Sequence, residues 1–316
     1  MRTPAAVMDA IERLLLPLLD TLERMVWVQR YLHPPVAGRL AEVLAPQTEA
    51  VAAPLSTLEQ APWPDDAAFM RERLLAVGRQ TLEMLAAFAT AARESKDPFD
   101  LYRALRRFAR VQEALYPLAA ALDPVSRWFL DPAHRDDDAL VGRLRAGALR
   151  EDGAARVGVL HADNERDARG GFSLYVPETW EPGAAMPLVV ALHGGHGHGR
   201  DFLWSWLREA RARDVLVLAP TARGRTWSLM GDDVDGLSLL RMVESVAARY
   251  PVDRARDLPI YLVHGELDWM FPVETAQLAR DVLTAAGARL VYRQIADLSH
   301  AYPRDENPRI LDWLMN

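Results

Sequence analysis

The sequence has no cysteine in 316 residues, which excludes disulfides, thiolate metal sites and a cysteine nucleophile together. It also lacks an excess of positive charge. Its 37 Lys and Arg stand against 44 Asp and Glu, a formal net charge of −7, the wrong sign for a protein that grips nucleic acid through phosphates. No nucleic-acid partner is expected. Long hydrophobic runs are missing too: no stretch approaches the ~18 consecutive apolar residues of a membrane-crossing helix. The first residues interleave Asp9, Glu12, Arg13, Asp20, Glu23 and Arg24 with apolar positions, unlike the uninterrupted core of a secretion signal. The expectation is a cytoplasmic protein without a transmembrane segment.

What is present is ample apolar material, 50% of the residues, in a chain long enough for two domains. Up to about Leu149 the apolar residues recur at helical spacing, as in Ile11, Leu14, Leu15, Leu18, Leu22, Met25 and Val26. Further helical runs are expected over Ala37–Leu55, Asp65–Arg93, Pro98–Leu122 and Asp137–Leu149, broken by proline-containing segments. Phe69, Phe88, Tyr102, Phe108 and Tyr116 fall among the apolar positions and read as packing residues.

After the polar stretch Arg150–Arg156 the pattern changes to short β-rich runs: Val157–Ala162, Gly171–Pro177, Pro187–His193, Asp214–Pro220, Pro259–His264 and Arg289–Ile295. Helical segments alternate with them. The expected organisation is therefore an all-α domain over residues 1–150 and an α/β domain over 151–316. The second should hold a largely parallel sheet of about six strands, because VVALHG, VLVLAP and IYLVHG have the continuous apolar character of strands covered on both faces.

In such sheets ligands bind at the carboxyl ends of strands, and three segments there carry chemistry. LHGGHGHGRDF follows the strand ending at His193, and its glycines would let the backbone N–H groups of Gly194, Gly195 and His196 approach an oxyanion. The plainer reading is a glycine-rich turn bearing His193, His196 and His198. A metal site is not expected, because no acidic residue stands at a ligand spacing from these histidines. LVHGELDWMFP places Asp268 after a strand, as the orienting acid of a histidine or as a turn aspartate. LSHAYP places His300 after the last strand, as a general base or a surface histidine before a helix.

Together these segments resemble, in order and position, the α/β-hydrolase superfamily, in particular its phospholipase/carboxylesterase and dienelactone-hydrolase-like branch, over roughly residues 155–316. The resemblance implies a carboxylic ester or thioester hydrolase with Asp268 as acid, His300 as base and Gly194–His196 as oxyanion donors. It implies no cofactor and a small-molecule ester or acyl substrate. Trp227 and Trp269 would line the substrate pocket. The helical half would be an accessory or cap domain, through which a homo-oligomer could form.

The family orders its triad Ser, Asp, His, with the serine in a G-x-S-x-G turn. No serine of this chain has glycine two residues away on both sides. Ser238 comes nearest, with Gly236 before it but Leu240 after it. The phrase RYPVD of Arg249–Asp253, which in relatives leads into the nucleophile strand, here runs within a few residues into the strand bearing Asp268. Against the pattern of the resembled family, one strand, the elbow, its helix and the following strand are missing. A crossover from the helix Asp235–Tyr250 could then bring Pro259–His264 beside Pro187–His193. Ser228, on the loop after Asp214–Pro220, is the candidate substitute nucleophile. The alternative is a catalytically inactive hydrolase-like protein that binds or assembles.

Overall fold

The computed structural model describes residues 5–150, 156–228, 233–253 and 260–315. In chain order the helices α1 to α6 are Ala5–Arg30, Ala37–Gln60, Ala68–Glu94, Phe99–Leu115, Asp123–Trp128 and Asp138–Ala148. Strands β1 (Gly158–Ala162), β2 (Phe172–Val176) and β3 (Leu188–Val190) follow. Then come α7 (Gly199–Phe202), α8 (Leu207–Ala212), β4 (Leu216–Pro220) and α9 (Gly236–Ala247). The chain ends with β5 (Ile260–Gly265), α10 (Val273–Ala285), β6 (Leu290–Ile295) and α11 (Asn307–Met315). No helix among the described residues is long and apolar enough to cross a membrane.

These elements divide into two compact units that cut across the chain order. One joins Met1–Ala114 to Ala255–Leu314, and the other is Leu115–Arg254.

In the first unit, α1 buries Val7, Ile11, Leu14, Leu18, Leu22 and Met25, the stripe that the helical spacing predicts. Pro17 lies inside α1 and cannot donate within it. Thr21, completely buried, donates its hydroxyl to the Pro17 carbonyl at 2.7 Å and lies 3.0 Å from Gln47 Oε1 of α2. Asp97 caps α4, its carboxylate accepting the Phe99 amide at 2.9 Å. Phe88 and Phe108 are core residues, as their spacing suggests, whereas Phe69 is exposed. The same unit contains β5 and β6, a two-stranded parallel sheet in register from Ile260↔Leu290 to Gly265↔Ile295, with α10 as the crossover.

The second unit holds a four-stranded sheet in the order β1-β2-β4-β3, with β1, β2 and β4 antiparallel in sequence and β3 parallel to β4. All five residues of β4 are buried, as its apolar run predicts. Met242, Val246 and Tyr250 of α9 and its end pack with Leu174, Val176, Leu216 and Leu218 in one core cluster.

The single six-stranded sheet expected from the sequence is thus two sheets, each inside one unit. Ahead of β3, Met186 and Val252 form an isolated parallel bridge, closed by Met186 N–H to Pro251 O and Asp253 N–H to Met186 O, both 2.9 Å. β3 itself spans only Leu188–Val190, shorter than the predicted Pro187–His193.

Candidate active site

Asp268 and His300 meet in the first unit. His300 Nδ1 lies 3.0 Å from Asp268 Oδ2. The other carboxylate oxygen accepts two amides of its own turn, from Met270 at 2.8 Å and Phe271 at 2.9 Å. The Asp268 side chain is 9% exposed and that of His300 36%, so the carboxylate is covered while the imidazole can be reached. Burial disfavours the Asp268 charge, but the Phe271 amide, the His300 ring and the Met270 amide outweigh it and hold the carboxyl below its ordinary value. An ionised Asp268 selects the tautomer with hydrogen on Nδ1, which leaves Nε2 of His300 as the acceptor.

The two loops bearing this pair are brought together by their backbones. Glu266 N–H donates to Ile295 O at 3.0 Å and Leu267 N–H to Leu298 O at 2.9 Å. Gly265 makes the approach feasible: a Cβ there would sit 2.2 Å from the Leu298 carbonyl oxygen. Phe271, Trp269 and Tyr102 surround the His300 ring with centroids 5.7, 6.2 and 6.3 Å away, and Phe99 stands 6.3 Å from Trp269. Trp269, expected in a pocket, is a partly exposed member of this aromatic ring. Sequence reading missed Tyr102 and Phe99 as neighbours of the pair, because helical periodicity makes them indistinguishable from packing residues.

The glycine-rich segment lies in the second unit. His193 is buried; its Nδ1 is 2.7 Å from Gly194 O and its Nε2 accepts the Ala222 amide at 3.1 Å. The ring ties the turn to the loop after β4. Trp227 donates Nε1–H to His193 O at 2.7 Å and stacks on the His193 ring at 4.9 Å, so it braces the turn. Trp204 and Trp206 are buried in the core.

The three proposed oxyanion donors differ. The His196 amide is already given to Arg225 O at 2.7 Å, and His196 takes a left-handed φ of 57° to do so. Gly194 and Gly195 are exposed, with nothing within 4 Å of a built Cβ.

Ser228, also in the second unit, donates its hydroxyl to Asp235 Oδ2 at 3.0 Å and its amide to the same oxygen at 3.0 Å. Asp235 Oδ1 accepts the Arg223 amide at 3.0 Å. Burial works against the Asp235 charge, yet the Arg223 and Ser228 hydrogen bonds keep its carboxyl below the ordinary value. These hydrogen bonds tie Arg223 and Ser228 to Asp235, the residue just before α9. In the sequence Asp235 is legible only as a residue at a helix start.

His198 Nε2 bonds to Ala168 O at 3.0 Å and its Nδ1 accepts the Arg200 amide at 3.2 Å. Among the described residues no group of three or more His, Asp or Glu side chains could hold a metal ion. Against known proteins, the chain matches no family model and no curated protein.

Proposed function

We propose that this chain descends from the carboxylic ester or thioester hydrolases of the α/β-hydrolase type, and that Asp268 and His300 form its acid–base site without a serine activated by them. The observation that carries the reading is the Asp268–His300 contact at 3.0 Å, with the second Asp268 oxygen held by two amides. Asp268 fixes the ring and stabilises its charged form, and His300 Nε2 takes a proton from water attacking an ester or thioester carbonyl. The exposed aromatic side chains of Phe99, Trp269 and Phe271 favour a substrate with an apolar acyl or aryl part. The glycine-rich turn 194–196 is a second element of the same ancestry, with Gly194 and Gly195 as its remaining oxyanion donors. A cytoplasmic location and assembly through the helical segments belong to this proposal as well.

A second reading, a hydrolase-like protein that binds or assembles without turnover, is favoured by one observation: the Ser228 hydroxyl is committed to Asp235. Ester turnover by the purified chain, Ser228→Ala and His300→Ala separates the two. Under the first reading His300→Ala lowers the rate by about 10²–10⁴-fold, the usual worth of a general base, and Ser228→Ala leaves it unchanged. Equal rates in all three would favour the binding protein.

A further inference from the structure

We propose that the N-terminal helices position the base of the candidate site, and that Tyr102 of α4 is the positioning residue through which they act on His300. The inference rests on His300 being that base. The segment between β6 and α11 that bears His300 is mostly irregular, so its geometry is set by what grips it. Side chains from the N-terminal helical region do so within the first unit, Arg30, His33 and Tyr102 through hydrogen bonds. Arg30, in the last turn of α1, reaches both ends of the segment: Nη2 donates to Asp297 Oδ1 at 2.7 Å and Nε to Asp305 Oδ2 at 3.1 Å. His33 Nδ1 lies 3.0 Å from the hydroxyl of Ser299, which is buried. Tyr102 donates its hydroxyl to the main-chain carbonyl of His300 itself at 2.9 Å.

Exposure ranks these grips. Asp297 and Asp305 are more than half exposed, and surface ion pairs of that kind contribute little. The Tyr102 bond is partly buried and falls on the residue whose ring must stay aligned. Tyr102 also packs edgewise against that ring. Burial, with the nearby Asp268 charge, raises its phenol above the ordinary value, so it remains a neutral donor. Its removal frees the His300 carbonyl and lets the imidazole swing away from Asp268.

The test uses the whole chain carrying ¹⁵N-labelled histidine. The readouts are the tautomer of His300 and the exchange of its Nδ1 proton with water, measured in the parent, Tyr102→Phe, Asp268→Asn and Tyr292→Phe. Tyr292 is a control hydroxyl that bonds to Gln294. Tyr102→Phe should speed the exchange about fivefold, the factor that one net hydrogen bond of about 1 kcal/mol represents, and shift the tautomer toward that of Asp268→Asn. Tyr292→Phe should match the parent. Parent-like exchange in Tyr102→Phe beside a clear change in Asp268→Asn overturns the positioning role alone. No change in Asp268→Asn overturns the acid–base pair and this inference with it.

Discussion

At Asp268 two opposing effects, burial and hydrogen bonding, resolve in favour of the charged form, and this gives the residue a pH signature. The folded chain binds the Asp268 proton more weakly than the unfolded chain, so stability from this group rises with pH. It is complete above the unfolded carboxyl value of about 3.9 and is lost as pH falls through the depressed folded value. Urea unfolding of the parent and Asp268→Asn at neutral pH and near pH 3 should therefore show a gap that narrows on acidification. A constant gap would mean that the carboxylate is not held as described. Asp268 and His300 are legible from sequence because the segments that carry them, after β5 and β6, together resemble a known motif order; taken singly, each reads as well as a turn aspartate or a surface histidine. Ser228 is legible only as a rim residue; its bond to Asp235 joins two positions in one loop, and no periodicity records that.

The loops and strands show the same division. Each chemistry-bearing segment could be placed because it begins where a strand ends: β5 into Gly265 and Asp268, β6 into His300, and β3 into the glycine-rich turn. The close approach that Gly265 permits was not legible, since a glycine after a strand reads equally as a turn. Gly265→Ala should cost about 1–3 kcal/mol through overpacking against the Leu298 carbonyl and should weaken the His300–Asp268 contact. Urea melts and the His300 Nδ1 proton signal would check both effects, and a neutral outcome would show that the loops can part without cost. Tyr102 and Phe108 sit on one helix with similar apolar neighbours, yet one grips His300 and the other fills the core. Helical spacing records which face is buried and not what it is buried against.

For the molecule as a whole, the change of periodicity near residue 150 marks where helix gives way to strand, from α6 to β1. It does not record that β5 and β6 form a compact unit with α1 to α4, because sequence order carries no information on which layers share a core. The second unit has its own anchor. Buried Glu178 accepts Arg211 Nε at 2.9 Å and the hydroxyls of Tyr116 and Tyr175 at 2.7 Å each, while Arg211 also donates to Ser126. Glu178→Gln leaves Arg211 uncompensated in the interior and should cost about 3–5 kcal/mol, read as a lowered urea midpoint. A loss below 1 kcal/mol would show that the cluster relaxes or takes up water.

The central proposal is an oriented acid–base pair, Asp268 and His300, without a serine that it activates. Treating the purified chain with a fluorophosphonate and weighing it intact tests this most directly. The unmodified mass is the expected result, and a single covalent adduct, at Ser228 or at any other serine, would contradict it.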